Sequence, residues 1–232
     1  QEFVSTFGGK AYGSYEELVA DESVDAIYVA TPHPAHKENV VLALNAGKPV
    51  LCEKPFAVNA QEAQEMVAAA AANNVALMEA MWSRFLPHYA LVREIVASGI
   101  LGKILTVHAD HGQRLADQNI PRLVDPLLAG GALLDLGIYP VSFAHMILSN
   151  PTKITASGVL TDRGVDGQTS MIFDYASGAQ AVLNTTMLEQ TLCRAVVAGI
   201  NGWLEIDRVF YAPTSMRVTL FDGTVKQFPN AY

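Results

Sequence analysis

The hydrophobic and polar positions in the first third of the chain alternate between two periods. Residues 24–30 (VDAIYVA) form a short apolar, β-rich run that stops at Thr31-Pro32, which predicts a buried strand. Residues 35–46 (AHKENVVLALNA) carry apolar side chains at helical spacing, and Gly47 follows as a C-terminal stop. Pro49-Val50-Leu51-Cys52 reads as a second strand ending at Glu53-Lys54-Pro55. Asn59 reads as the cap of a helix to about Ala72, and residues 75–81 (VALMEAM) as a third strand. Strands separated by helices of this length predict right-handed crossovers and a parallel sheet.

Near Trp82 the rhythm changes, and the boundary between two domains is placed there, 1–82 and 83–232. A helix is expected from about Pro87 to Ser98, ending at Gly99, and a strand over 103–111 (KILTVHADH). A polar loop then leads to Gly130-Gly131 and an apolar helix to about Leu148. From Lys153 onward the pattern is β-rich runs separated by Tyr175-Ala-Ser-Gly178, Asn201-Gly202 and Asp222-Gly223. The last two pairs suit type I′ hairpin turns, so an open, mainly antiparallel sheet is expected. The fold class is α/β followed by α+β.

Composition narrows the function classes. Half of the 232 residues are hydrophobic, 16% are charged, and the formal net charge is −8. That balance suits a packed protein rather than a disordered one. Lys and Arg form no basic stripe, which argues against a nucleic-acid partner. No apolar run stands out at the roughly 20 residues that cross a bilayer, and the opening Gln-Glu-Phe-Val is unlike a signal peptide, so no membrane partner is expected. Cys52 and Cys193 lie far apart and in no metal-ligand spacing, and a reducing cytoplasm is the expected location. His33 and His36 are three apart, but no third ligand follows at a fitting spacing, and no metal is expected. His108 and His111 alternate on a strand and read as ordinary surface or interface residues.

In a doubly wound sheet, ligands bind beyond the C-terminal ends of the parallel strands. Thr31-Pro32-His33-Pro34-Ala35-His36 and Glu53-Lys54-Pro55 fall at two such ends. The third end carries Glu79, Trp82 and Arg84. Three successive strands thus bring polar or aromatic residues to one edge.

The runs VDAIYVATPHPAH, GKPVLCEKP and GGALLDLGIYP resemble the Gfo/Idh/MocA family of oxidoreductases across nearly the whole chain. Glu-Lys-Pro after a buried strand, with Asp-x-Gly-x-Tyr-Pro downstream, is a specific pair of motifs. Tyr139 resembles the dihydrodiol dehydrogenase and glucose–fructose oxidoreductase branch, where inositol dehydrogenases have His. EAMWSRFLP is most similar to the dihydrodiol dehydrogenase group. The resemblance implies a Rossmann-like parallel sheet and a nicotinamide cofactor, NADP or NAD, with the tyrosine branch favouring NADP. It implies hydride transfer to or from a secondary alcohol or ketone of a sugar, cyclic polyol or dihydrodiol.

It also implies a site. Thr31, Pro32 and His36 border the cofactor, with Glu53, Lys54 and Arg122 beside it. Trp82, an aromatic wall, and Arg84 face the substrate. Asp135 and Tyr139 are four apart on an expected helix and share a face, and Gly130-Gly131 are expected to leave the helix start open to a ring or an anion. A tyrosine hydroxyl is a poor base near neutrality, and a lysine ammonium beside it favours the phenolate. Tyr139 is therefore the expected proton donor and acceptor, Lys54 its partner, and Asp135 the group that orients the substrate or Lys54.

The Gly-x-Gly-x-x-Gly turn of dinucleotide-binding folds and the residue that selects NADP over NAD are not in the sequence. The opening QEFVSTFGG resembles the helix after the second strand of such a domain, so chain beyond both ends is expected. The antiparallel sheet, with one face free of helices, is the expected surface of a homodimer or higher homo-oligomer. A non-catalytic dinucleotide-binding sensor or scaffold of the same fold is the alternative from another class.

Overall fold

Apolar side chains at alternate strand positions and on helix stripes build three buried clusters in the computed structural model, which describes residues 2–230. The chain divides after Ala80 into two compact units.

The first unit contains α1 (Glu2–Phe7), α2 (Tyr15–Ala20), β1 (Ile27–Val29), α3 (His36–Asn45), β2 (Val50–Cys52), α4 (Ala60–Asn73) and β3 (Leu77–Glu79). The strands pair parallel in the order β1-β2-β3, with Tyr28 opposite Leu51 and Leu51 opposite Met78. Each strand is three residues long, shorter than the apolar runs that announced it. Ile27, Val29, Val50 and Cys52 point inward, while Tyr28 and Met78 stand exposed on the other face. Helix α3 buries His36, Val40, Ala43 and Leu44, a stripe at i, i+4, i+7 and i+8. Asn59 caps α4 as its position suggests, accepting the Glu62 N–H at 2.9 Å. The helical opening α1 begins at Glu2, and Gln1 lies outside the described residues.

The second unit holds α5 (Pro87–Ala97), β4 (Ile104–Gly112), α6 (Pro121–Val124), α7 (Ile138–Leu148) and seven further strands. These are β5 (Lys153–Leu160), β6 (Asp166–Asp174), β7 (Gln180–Thr186), β8 (Ala195–Gly199), β9 (Gly202–Ile206), β10 (Met216–Leu220) and β11 (Val225–Phe228). The eight strands form one sheet in the order β11-β10-β9-β8-β4-β7-β6-β5, antiparallel except for the parallel pair β4–β7. One row across it, Met171, Leu183, Ala109, Ala195, Ile206 and Met216, is buried. Helix α7 packs on that face, its Phe143 wedged edge-on between Tyr89 and Phe210 with ring centroids 5.7 Å away on either side. Burying a side chain of that size contributes about 1.5–3 kcal/mol. The neighbouring row, Thr155, Ile172, Val182, His108, Val196 and Glu205, lies on the face without helices.

Two hairpins correct the turn chemistry expected from sequence. Gly199 pairs with Gly202, so the loop is Ile200-Asn201, one residue earlier than the Asn-Gly pair, and neither loop residue has positive φ. A type I′ turn requires positive φ at both centres. At Asp222-Gly223 only Gly223 is left-handed, φ 92°, in a longer loop closed by Leu220 N–H on the Thr224 carbonyl. Both loops thus follow strand register rather than the dipeptide signal.

Pro126–Leu148 is also read differently in three dimensions. Within its 23 residues an 18-residue window reaches a mean hydropathy of 1.5, enough by length and composition to cross a membrane, contrary to the expectation that no such run stands out. Half of that window is buried within the protein. It is not one continuous α-helix: Ala129 (φ 53°) and Gly131 (φ 126°) turn the backbone, and Leu133–Gly137 is a π-turn before α7.

Candidate active site

The edge formed by the ends of β1, β2 and β3 is tied together by side chains. His36 is fully buried at the start of α3, and its two ring nitrogens each lie 2.9 Å from a backbone carbonyl oxygen, Nδ1 from Pro55 and Nε2 from Thr31. It thus links the turn after β1 to the turn after β2, across the cis Lys54–Pro55 peptide. Glu79, at the end of β3, accepts the Phe56 N–H at 3.0 Å. Glu53 accepts the Lys54 N–H at 3.0 Å and the Tyr28 hydroxyl. Burial beneath this edge, with the Glu79 and Glu53 charges adding to it, pushes the Cys52 thiol up to about 12, so it is an inert packing group.

His36, expected beside the cofactor, is therefore a fastener of the edge, and its imidazole nitrogens are engaged with the protein's own backbone. Thr31 and Pro32 reach the surface of the turn it holds, and the Thr31 Oγ1 accepts from Asn39 at 3.4 Å. Helix α3 continues from the short 3-10 turn His33–Ala35, and the His36 N–H donates to the His33 carbonyl. The rings of His33 and His36 meet edge-on at 5.7 Å. Among the described residues, no group of three or more His, Cys, Asp or Glu side chains is arranged to hold a metal ion.

In the second unit the expected site residues form two pairs. Trp82, on the short helical turn Trp82–Phe85, donates its indole N–H to the Tyr139 hydroxyl oxygen at 2.9 Å. Arg122, on α6, donates from Nη1 to Asp135 Oδ1 at 2.9 Å; the arginine is half exposed and the carboxylate is buried. Arg84 shares the turn with Trp82, its side chain exposed and its backbone carbonyl accepting from Arg93.

Tyr139 is buried and ringed by aromatic groups. The Tyr211 ring lies 4.7 Å from it at 38°, the His111 ring 5.2 Å at 68°, and the Trp82 ring 6.4 Å at 77°. From sequence His111 reads as an ordinary surface or interface residue; it is 1% exposed, inside its own unit. The alternation of His108 and His111 was correct, and His108 is the exposed one, but period 2 alone does not say which face is covered. Tyr211 was missed because it arrives from the loop between β9 and β10, with no motif around it.

The glycine pair corrects another expectation. Gly130 and Gly131 do not leave an open helix start. A Cβ on Gly130 would lie 2.7 Å from the Leu123 backbone, and one on Gly131 2.0 Å from Asp166 Oδ1. Their N–H groups are bound to the Asp125 and Leu123 carbonyls. Asp166, from β6, occupies the place an anion would take, accepting the Leu133 N–H at 2.7 Å. Asp135 belongs to the π-turn, not to the α-helix that carries Tyr139. Such turns insert one residue into the helical spacing and occur often at functional sites.

Residues 1–81 match the oxidoreductase family with an NAD-binding Rossmann fold, and residues 89–205 match the GFO/IDH/MocA C-terminal domain. The trans-1,2-dihydrobenzene-1,2-diol dehydrogenase of Mus musculus is 44% identical over 232 residues, 99% of this chain and 68% of that protein. Those of Homo sapiens and Xenopus tropicalis are 41% and 42% identical, over 95% and 90% of this chain and 65% and 63% of theirs. The chain thus spans about two-thirds of the length of these curated relatives. Among solved structures, the aldose-aldose oxidoreductase from Caulobacter crescentus complexed with glycerol superposes with a TM-score of 0.89 at 28% identity, covering 100% of this chain and 72% of that one. A 3-ketoreductase from Actinomadura kijaniata with NADP and TDP-benzene gives 0.84 at 28% identity, covering 98% and 71%. With one family matched in both units, and the motifs around Lys54 and Tyr139 in place, the chain belongs to the Gfo/Idh/MocA family of oxidoreductases.

Proposed function

We propose that the protein is an NAD(P)-dependent oxidoreductase that moves hydride between nicotinamide and a secondary alcohol or ketone of a sugar, cyclic polyol or dihydrodiol. The observation that carries this is the setting of the Tyr139 hydroxyl: buried among aromatic rings, with its oxygen accepting from Trp82. An indole N–H only donates, so this bond leaves the phenol's own proton available for transfer. Tyr139 then gives or takes the substrate proton, with Lys54 assigned as its partner by resemblance. General acid–base help of this kind is worth about 10²–10⁴ in rate.

A nicotinamide dinucleotide fits the strand-end edge of the first unit. Thr31 and Pro32 stand at the surface there, and Glu53 presents a carboxylate. Bound there, the nicotinamide supplies or receives the hydride. Thr31, Pro32, Glu53 and Lys54 would hold it, with His36 keeping their turns in place and Arg122 assigned to the nicotinamide end by resemblance. Trp82, Arg84 and the Arg122-held Asp135 would orient the substrate. The relatives that carry the name trans-1,2-dihydrobenzene-1,2-diol dehydrogenase make that diol the first substrate to try, and the relative holding NADP makes NADP the first cofactor.

The sheet face without helices exposes Val159, Ile172 and Val182, and we assign it to contact with a second copy of the chain, since an uncovered sheet face is a natural homo-oligomer surface. The test of the whole reading is titration with NADPH and NADH, followed by nicotinamide fluorescence, and then turnover on the diol. Saturable binding with turnover supports it. Binding without turnover on the diol, sugars or polyols favours a dinucleotide-binding sensor instead, and no binding of either cofactor refutes the cofactor assignment.

A further inference from the structure

Tyr139 is held by a second set of residues that no motif announces. His111 Nδ1 lies 3.1 Å from the Leu136 carbonyl oxygen, and its Nε2 lies 2.9 Å from Gln113 Nε2. An amide nitrogen donates, so Nε2 is the acceptor and the ring proton on Nδ1 goes to Leu136, a tautomer assigned from these partners. The same Gln113 nitrogen donates to the Tyr211 hydroxyl at 2.8 Å. Tyr211 returns over the assembly, stacked on His111 with centroids 4.0 Å apart at 30° and tilted against Tyr139 at 4.7 Å. Burial holds its hydroxyl up at about 12, with the Gln113 donor pulling the other way; it stays a neutral phenol near neutrality.

Leu136 is the point of leverage. It lies in the π-turn Leu133–Gly137, directly before the helix that begins at Ile138 and carries Tyr139. A π-turn disturbs the i→i+4 ladder, so its carbonyls look to donors from outside the helix. His111, on β4, supplies one from the sheet, and Thr185 of β7 adds a second tie by donating to the Ala132 carbonyl at 3.3 Å.

We propose that His111, together with Gln113 and Tyr211, is a positioning assembly that fixes the Tyr139 ring and the π-turn beneath it, without itself exchanging a proton with the substrate. The proposal rests on Tyr139 being the proton-transfer group. A reacting oxygen displaced by about 1 Å can lose about a hundredfold in rate, so the assembly should act on kcat and leave cofactor affinity alone.

The test is a set of variants assayed with NADP and trans-1,2-dihydrobenzene-1,2-diol. His111→Leu should lower kcat by about tenfold or more, with the NADPH Kd and the substrate KM each within about twofold of the parent. His111→Asn, whose amide N–H falls close to the place of Nδ1–H, should recover most of that loss. Tyr211→Phe keeps the ring and removes only the hydroxyl, and should show a smaller loss of the same kind; it also serves if His111→Leu does not fold. Unchanged kcat in both His111→Leu and Tyr211→Phe, a loss confined to KM, or an Asn variant no better than Leu at equal thermal stability would each overturn the assembly. Tyr139→Phe in parallel separates the two ideas. If it keeps turnover, the proton-transfer reading fails and the assembly with it. If it loses turnover while the His111 and Tyr211 variants do not, only the assembly fails.

Discussion

The Trp82 indole donates to the Tyr139 hydroxyl oxygen across 2.9 Å. Because the indole nitrogen cannot accept, the phenol's own proton is not spent on this bond. Trp82 is 42% exposed and Tyr139 is buried, so the tryptophan reaches from the surface to a buried hydroxyl. The aromatic wall expected at this position therefore also carries a polar function.

Trp82→Phe keeps an aromatic wall and removes the N–H. A hydrogen bond contributes about 0.5–1.5 kcal/mol, so kcat should fall by about two- to tenfold while the NADPH Kd is unchanged. Steady-state turnover with a fluorescence titration checks both. Tyr139→Phe should lose about a hundredfold or more; a loss below tenfold would remove it from the proton-transfer role.

His36→Leu preserves volume and leaves the Thr31 and Pro55 carbonyls without the imidazole. An unsatisfied buried acceptor costs about 1–3 kcal/mol, so the variant should unfold at clearly lower urea and bind NADPH more weakly. Parental stability would show that the edge does not depend on this fastener.

Gly131→Ala should destabilise the second unit by about 1–3 kcal/mol. Its φ of 126° disfavours any side chain, and the new methyl would lie 2.0 Å from Asp166 Oδ1. Calorimetry reads the loss, and an unchanged melting temperature would mean that Asp166 moves aside freely.

Burial raises the Asp166 carboxyl above its usual range, although the Leu133 N–H and the Thr169 hydroxyl pull it down. The folded protein then binds this proton more tightly than the unfolded chain does. The stabilisation is complete below the unfolded value of about 3.9 and is lost as pH rises through the folded one. Asp166→Asn retains one acceptor and removes the titration. Urea midpoints should therefore shift in favour of the parent, relative to the variant, as pH falls from neutrality towards 4. A difference independent of pH would contradict the raised value.

Period and punctuation along the chain were enough for much of the fold. The strand–helix alternation to β3, the Asn59 cap, the end of α5 near Gly99 and the β-rich second half all follow from local chemistry that a single segment carries. Lys54, Trp82, Asp135 and Tyr139 were singled out through motifs as candidates, and the hydrogen bond between Trp82 and Tyr139 was not foreseen. His111 shows why. A histidine on a strand alternates faces by geometry, but only the helix packed above β4 decides that its face is the buried one.

What the sequence by itself determined, then, is the order of elements, the two kinds of sheet and the residue types offered at the strand ends. Each of these depends on neighbours within a few positions. Tertiary structure alone decided that Asp166 closes the helix start that Gly130-Gly131 were expected to leave open, and that His36 clamps two turns. It also set hairpin register against the Asn-Gly signal and brought Gln113 and Tyr211, 98 positions apart, into one hydrogen bond. Those outcomes belong to close packing and to the satisfaction of buried polar groups, which join segments remote in sequence and leave no periodic trace in either one.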